Sequence, residues 1–258
     1  MKNFIPLTIL SLFGAGVLML TDCSPVQAQH TTSQSLDLKN VKTLQADIQI
    51  NAGTLKLTAQ NTSKADARFT YSKDAWKPQV KYNGEPDKGS LSIKQPEEKN
   101  TNMKDKDRNE WNIILPQGVA TSLKLRMGAG ESNVDLRGAR LTRVVMDAGA
   151  GEFNVNLANT SVSELDVNAG VGEVNLDLSG KRNTDLKASI NGGIGSLNLI
   201  LPRQTGVRVK VNGLGGLDSN GLKKQGGYYV NEAYGKTPHT LEITINGGLG
   251  SVDLALEN

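Results

Sequence analysis

Hydrophobic and polar residues alternate over most of the chain, and glycines interrupt the alternation at even intervals. Three similar stretches, RMGAGESNVDL, DAGAGEFNVNL and NAGVGEVNLDL, begin at residues 126, 147 and 168, so they are 21 residues apart. Alternation with a period of two is typical of a β-strand with one buried face. A repeat of this length predicts stacked units, because one unit alone cannot bury its apolar face.

Every unit contains two alternating runs, and each run has its apolar residues at positions of one parity. In the first run these positions are Leu123, Leu125, Met127 and Ala129, then Val144, Met146, Ala148 and Ala150, then Leu165, Val167, Ala169 and Val171. In the second run they are Ser132, Val134 and Leu136, then Phe153, Val155 and Leu157, then Val174, Leu176 and Leu178, with later copies at Leu197, Leu199 and Leu201 and at Val252, Leu254 and Leu256. Side chains of one parity share one face of a strand, so both runs are predicted to face a core.

The two runs are out of phase with each other. The step from Ala129 to Ser132 is three residues, and the steps from Ile194 to Leu197 and from Leu249 to Val252 are the same. A straight strand would need an even step, so each unit is predicted to bend at one place. Glycine suits such a corner, because it tolerates a positive φ and lets a neighbouring backbone approach closely. The predicted corner residues are Gly130, Gly151, Gly172, Gly195 and Gly250.

A second glycine lies two residues before each corner. These glycines are Gly128, Gly149, Gly170, Gly193 and Gly248. The spacings between them are 21, 21, 23 and 55 residues. The long last spacing predicts an insertion, which we place at residues 217–238.

These patterns predict an all-β fold, an elongated repeat β-solenoid of stacked strands with glycine corners. Regular antiparallel hairpins are the alternative, because Gly-x-Gly can also form the tip of a hairpin. Residues 29–44 are polar and are predicted to be a flexible lead. An N-terminal β region at 45–120 is expected to continue into the repeat region at 121–258. No segment shows a helical period over a dozen residues.

The first residues predict export. An apolar run from Phe4 to Leu20 follows Lys2, which is typical of a secretory signal peptide. Cleavage after Ala28 would make residues 1–28 the signal. The alternative is a signal of residues 1–22 followed by lipidation of Cys23, although Asp22 departs from the lipidation pattern. Both routes place the protein in the periplasm, in the cell envelope or outside the cell.

Charge and composition exclude several classes of function. The net charge is only +3 and the charges are mixed along the chain, so no nucleic-acid partner is predicted. The histidines, His30 and His239, lie near no Ser or Cys nucleophile motif, and no phosphate-loop motif follows the glycines. We therefore predict no catalytic residue, no cofactor and no enzyme activity.

The outward positions of the repeat predict a polar, acidic face. They are Glu131, Asn133 and Asp135, then Glu152, Asn154 and Asn156, then Glu173, Asn175 and Asp177. Carboxylates about 4.8 Å apart in water repel by only about 1 kcal/mol, so such a face needs no ligand. Calcium could bridge it, but the repeat lacks the GGxGxD pattern, and GLGGLD at 213–218 is an isolated near-match. We predict no metal site.

Several segments together resemble the bacterial toast-rack proteins. They are KPQVKYNGEPDKGSLSIKQP, NEWNIILP, the repeated GAGE-x-N-V-x-L units, GGYYVNEAY and LEITINGGLGSVDL. Related glycine units occur in adhesin candidates and in the C-terminal part of cell-wall-active antibiotic response proteins. The resemblance implies a stacked β architecture on an exported or envelope-associated protein. It supplies no characterised reaction and no catalytic residue.

Two classes of function follow from these observations. The first is a non-enzymatic envelope scaffold or binding module, whose partner is an unidentified envelope component or protein. The second is an envelope carbohydrate-binding or carbohydrate-active protein that uses the acidic face. A membrane contact is expected only through a lipid on Cys23.

The insertion is the expected recognition element of a binding module. It contains three of the five tyrosines of the chain, Tyr228, Tyr229 and Tyr234. Tyrosine combines a large apolar ring with a polar tip and is common at interfaces. The alternative is that these tyrosines cap the open end of the stack, which would otherwise invite unwanted strand pairing.

Overall fold

The computed structural model describes residues 29–97, 103–104, 106–213 and 215–258. The predicted signal segment, with Cys23, lies outside these residues. The described chain is built from strands and turns, with one 3-10 turn at Asp74–Trp76. The strands are β1 (His30–Asp37), β2 (Val41–Gln60), β3 (Lys64–Tyr71), β4 (Gln79–Glu85), β5 (Asp87–Lys94), β6 (Asn109–Pro116), β7 (Ala120–Asp135), β8 (Leu141–Asn156), β9 (Glu164–Asp177), β10 (Leu186–Leu201), β11 (Gly206–Asn212), β12 (Gly216–Asn220), β13 (Lys223–Gln225), β14 (Tyr228–Val230), β15 (Thr240–Asn246) and β16 (Leu249–Leu256).

The repeat units stack as parallel strands in register. Strand β7 pairs with β8, β8 with β9, and β9 with β10, and each corner glycine lies opposite the next. Strand β2 precedes them in the same stack, where Gly53 lies opposite Gly130. Equivalent residues of successive units are therefore neighbours, which confirms the stacked-strand prediction over the hairpin alternative. We call each level of this stack a rung.

The corner glycines allow successive rungs to come close together. Gly130, Gly151, Gly172, Gly195 and Gly250 all have a positive φ. A Cβ placed on Gly151 would collide with the carbonyl oxygen of Gly130 in the rung before it, and the same collision recurs along the stack. Both the backbone conformation and the available space therefore require glycine at this corner. We call the residues before the corner the first arm and those after it the second arm.

The side chains inside the bend form one hydrophobic core. Leu125 and Met146 on first arms, and Val134 and Val155 on second arms, are at most 4% exposed and belong to the same cluster. Burial of each aliphatic side chain contributes about 1.5–3 kcal/mol. The two out-of-phase runs thus face a single core, because the corner changes the phase between them.

The residue between the two glycines of each corner was predicted to be buried, and this prediction is wrong. Val171, Ile194 and Leu249 are 54%, 57% and 63% exposed, and Ala129 and Ala150 are also exposed. The backbone turns between the two glycines, so parity no longer determines which face a side chain occupies. The corner therefore carries an apolar row on its accessible side.

The N-terminal end of the stack is covered by further strands. The first arm of β2 pairs with β5, which pairs with β4. The second arm of β2 pairs with β6, which continues to β3 and then to β1. The prediction of a flexible lead at 29–44 is thus wrong for His30–Asp37, because this segment forms β1 and pairs antiparallel with β3. Its polar composition reflects an exposed edge strand.

A buried polar cluster closes the corner at this end. Asn109 donates through Nδ2 to the carbonyl of Ala52 at 2.6 Å and to Gln95 Oε1 at 2.9 Å, while its Oδ1 accepts from the Trp111 indole at 2.9 Å. Gln95 Oε1 also accepts from the backbone N–H of Asn51 at 2.9 Å. These hydrogen bonds pair the buried amide and indole groups with one another and with the backbone. The N-terminal corner is therefore closed without the free-energy penalty of leaving these groups unpaired.

At the C-terminal end the order of the strands in space differs from their order in the sequence, and the repeat spacing did not predict this difference. Strands β15 and β16 lie directly against β10, whereas β11 pairs with β15 and β12 with β16. In sequence, β11 and β12 come first and form the outermost rung. Strands β15 and β16 come later and lie between that rung and β10. The spacing of 55 residues therefore includes this extra rung as well as a hairpin. Residues 217–220 of the predicted insertion belong to β12, which is part of the stack.

Substitution of a corner glycine tests the backbone constraint. We expect Gly151→Ala to lower the free energy of unfolding by at least about 2 kcal/mol, because the new Cβ meets a carbonyl and the residue keeps a positive φ. Urea unfolding measures the effect. Gly118→Ala is the control, since a Cβ there meets no atom within 4 Å. Equal stability of the two variants would contradict the close-approach argument.

One carboxylate links three neighbouring strands on the outer face of the first arms. Asp47 on β2 accepts from Arg126 on β7 at 2.8 Å and from Lys94 on β5 at 2.8 Å. Burial raises the pKa of Asp47, but the hydrogen bonds and charges of Lys94 and Arg126 outweigh this effect and hold it below its ordinary value. The ionised form is thus favoured by folding.

This linkage predicts a pH-dependent contribution to stability. A depressed folded pKa stabilises the protein above the unfolded pKa of about 3.9, and the contribution is lost as pH falls through the folded pKa. We expect Asp47→Asn to lower the melting temperature at pH 7 and the difference from wild type to shrink below about pH 4. Asp253→Asn, at an exposed carboxylate of β16, should show no such convergence. A constant difference for Asp47→Asn at all pH values would contradict the linkage.

Candidate functional site

The C-terminal end of the stack carries a tyrosine-bearing hairpin. Strands β13 and β14 pair antiparallel and are joined by Gly226 and Gly227, both with a positive φ. Strand β14 also pairs antiparallel with β11, so the hairpin extends the first-arm sheet beyond its last rung. Alternation along β14 sends its two tyrosines to opposite faces of that sheet.

Tyr229 lies on the inner face. It stands opposite Val209, which is fully buried, and packs against the hydrophobic core. The Nζ atom of Lys224, on the neighbouring strand, lies 5.8 Å from the centre of its ring. This position gives Tyr229 the role of a cap over the end of the core.

Tyr228 and Tyr234 lie on the outer face, where they surround one arginine. The guanidinium carbon of Arg208 is 4.7 Å from the centre of the Tyr228 ring and 6.0 Å from that of Tyr234. Arg208 also donates to Glu242 at 2.9 Å. The group combines two partly exposed rings with a fixed cation, which is a common composition for a contact surface. We call Arg208, Tyr228 and Tyr234 the outer tyrosine cluster.

A buried asparagine holds the hairpin to the stack. Asn231 donates through Nδ2 to the carbonyl oxygens of Thr205 at 2.7 Å and Pro202 at 3.1 Å, and its Oδ1 accepts from the N–H of Val207 at 3.0 Å. These bonds tie the segment after β14 to the connection between β10 and β11. The hairpin therefore has a fixed position relative to the last rung.

A cleft opens between the two arms beside this hairpin. It has a volume of about 320 Å³ and reaches from the corners of β9, β10 and β16 to the hairpin. Its walls are the inner side chains of the last rungs, including Ile190, Leu197, Ile245 and Val252, and Tyr229 closes one side. The N-terminal end of the stack is sealed at the same level, so the cleft distinguishes the two ends.

The polar faces on both sides of the corner form amide ladders. On second arms, Asn198 donates to Asn175 at 2.6 Å and Asn175 donates to Asn154 at 2.8 Å. On first arms, a second ladder links Asp147, Asn168, Asn191, Asn246 and Asn212, with distances of 2.8–3.0 Å between neighbours. Much of the hydrogen-bonding capacity of these faces is therefore used within the stack.

Several acidic side chains of the second arms also have hydrogen-bond partners. Asp135 accepts from Arg137 at 2.7 Å, and the hydrogen bond from this guanidinium holds the pKa of Asp135 below its ordinary value. Glu152 accepts from Asn154 at 2.8 Å, and Glu173 accepts from Asn198 at 3.0 Å. Among the residues that the structure describes, no group of three or more His, Cys, Asp or Glu side chains is arranged to hold a metal ion.

The family model for the N-terminal domain of toast_rack, DUF2154, matches residues 24–165 and 149–200, which together span more than half of the chain. The chain belongs to the toast-rack family. This confirms the resemblance found in the repeat units and in the strand around Trp111. No curated protein matches the chain.

Three solved structures are similar to this toast-rack protein, and the first of them supports its fold. A proposed cell adhesion protein from Clostridium sporogenes is 28% identical, covers 89% of this chain and 100% of its own, and superimposes with a TM-score of 0.70. A proposed adhesin from Bacteroides fragilis is 12% identical, with coverage of 88% and 98% and a TM-score of 0.32. Another from Parabacteroides merdae is 10% identical, with coverage of 86% and 95% and a TM-score of 0.28.

The sequence indicates Tyr228, Tyr229 and Tyr234 as candidate contact residues, but it does not show that they lie on two different faces of the sheet. The pairing of β14 with β11 determines which tyrosine lies on which face. This pairing could not be inferred from the sequence, because the repeat pattern does not identify β11 and β12 as a rung of the stack. The cleft was also missed. Its signal is present in the sequence as glycines at inward positions of the later repeats, Gly192 and Gly247.

Single substitutions separate the two tyrosine roles. We expect Tyr229→Ser to lower the free energy of unfolding by about 1–3 kcal/mol, since it removes a ring packed on the core. We expect Tyr228→Ser to change it by less than about 1 kcal/mol, because its ring lies on the outer face. Thermal and urea unfolding measure both. The inward assignment of Tyr229 is wrong if the order of the two effects is reversed.

Proposed function

We propose that this toast-rack protein is an exported, non-enzymatic binding module of the cell envelope that holds an envelope partner through its outer tyrosine cluster. The observation that carries the proposal is the placement of Arg208 against Tyr228 and Tyr234 on the outer face of the last rung. The core does not require these rings, because Tyr229 caps it. The residues remain available for a contact that the isolated chain leaves unmade.

The rest of the fold supports a role as a scaffold. The stack is held by in-register strands and amide ladders, so it presents its terminal hairpin rigidly and binding would involve little loss of conformational entropy. The similar protein from Clostridium sporogenes is a proposed cell adhesion protein. None of the helices in the described part of the chain has the length and apolar character needed to cross a membrane. Export remains a proposal from the sequence of residues 1–28.

Binding to isolated envelopes tests the proposal. We expect a protein of residues 29–258 to sediment with purified envelopes in a saturable manner, and the double variant Tyr228→Ser/Tyr234→Ser to lose at least about tenfold in affinity, as for removal of two interface anchors. Its melting temperature should stay within a few degrees of wild type, because both rings are outside the core.

The control is a double substitution at the opposite end of the stack. Glu85→Ser/Lys88→Ser alters an exposed hairpin between β4 and β5 and should sediment like wild type. The proposal fails if the tyrosine variant, still folded, sediments as well as wild type. It also fails if both double variants lose binding equally, since the contact would then not lie at the hairpin.

A further inference from the structure

The cleft between the arms exists because inward side chains disappear along the stack. One column of inward residues lies immediately before the corner. From β2 onward it consists of Ile50, Met127, Ala148, Ala169, Gly192 and Gly247, where Gly247 follows β15 and continues its register with β10. Ile50, Met127 and Ala148 are at most 6% exposed and fill the core at their rungs. The core is therefore solid at the N-terminal end and hollow near the last rungs.

The backbone conformation does not require glycine at either of the two glycine positions of this column. Neither Gly192 nor Gly247 has a positive φ, in contrast to the corner residues Gly195 and Gly250. A Cβ on Gly192 would meet no atom within 4 Å, and one on Gly247 would meet its nearest atoms at 3.9 Å. Larger side chains would fit at both positions, so these residues leave open a space that the fold itself would allow to be filled.

Most side chains that line the space are apolar, glycine backbone groups supply much of the rest of its surface, and the entrance carries apolar side chains. The side chains with polar atoms on its described walls are Ser196, Ser251, Lys224 and Tyr229. Ile194 and Leu249, at its edge, are 57% and 63% exposed. The aliphatic side chains on both arms offer an apolar molecule a surface to cover.

One positive charge lies at the cleft. Lys224 is the single charged residue among the described residues that line it. Its ammonium nitrogen lies 5.8 Å from the centre of the Tyr229 ring, on the hairpin side of the cleft. An elongated apolar ligand with an anionic end would complement both features.

We propose that the cleft binds one free fatty acid, with the alkyl chain between the arms and the carboxylate at Lys224. The volume of about 320 Å³ lies at the lower end of the range of about 300–1,000 Å³ that is usual for small-molecule sites. The chain would cover the inner side chains of the last rungs and occupy the positions that Gly192 and Gly247 leave empty. This site is separate from the outer tyrosine cluster and does not depend on the function proposed for it.

Calorimetric titration of the 29–258 protein with sodium laurate, below its micelle concentration, tests the proposal. We expect saturable binding of one laurate per chain. Dodecyltrimethylammonium, which has the same alkyl length and a positive head group, should bind at least about tenfold more weakly. Absence of saturable laurate binding would overturn the proposal, and equal affinity for the two amphiphiles would overturn the placement of the carboxylate.

Variants locate the ligand. Gly192→Val should weaken laurate binding at least about tenfold while leaving the melting temperature unchanged or higher, because it fills the empty space. Gly247→Ala is the smaller second variant should Gly192→Val fail to fold. Gly118→Val, remote from the cleft and equally open, should bind like wild type. Lys224→Met should weaken laurate up to about fivefold without affecting dodecanol. Unchanged laurate affinity in a folded cleft variant would show that the ligand lies elsewhere.

Discussion

The close approach of successive rungs at the corner is the constraint on which the rest of the structure depends. Each corner glycine lies where a Cβ would overlap the carbonyl oxygen of the preceding rung. Because the corners of β2, β7, β8, β9, β10 and β16 are alike, these rungs share one register and repeat the same bend. The two arms then place their apolar residues on a single core and their polar residues on two outer faces.

In-register stacking also explains the amide ladders. Residues that are equivalent in the repeat become neighbours, so an asparagine in one unit finds an asparagine in the next at hydrogen-bonding distance. In-register stacking also brings equivalent carboxylates together, and several of them accept hydrogen bonds from guanidinium or amide groups, as Asp135 does from Arg137 and Glu173 does from Asn198. The polar faces thus help to hold the rungs together. The hairpin of β13 and β14 extends beyond the last rung and is the surface available for a partner.

The fold was predictable where the repeat is regular and became less so where it is not. Alternation and the three-residue phase step were enough to predict the bend and the stacking of like units. They could not reveal that β11 and β12 form a rung, because the chain places this rung before β15 and β16 in sequence but outside them in space. Nor could composition show that His30–Asp37 pairs with β3, since an exposed edge strand has few apolar residues to mark it. Nor did the sequence indicate that Arg182 is buried. Its burial lowers the pKa of its guanidinium group to about 10.

The difference between the two ends of the stack follows from the same repeat. At the N-terminal end, large inward residues and the cluster of Asn109, Gln95 and Trp111 fill the space under the corner. Toward the C-terminal end the corner glycines persist, because the backbone requires them, while the inward column shrinks to glycine, which the backbone does not require. A change confined to the unconstrained column leaves the register intact and alters only what the core contains. The fold can therefore carry an internal cavity at one end without any change in how its rungs are held together.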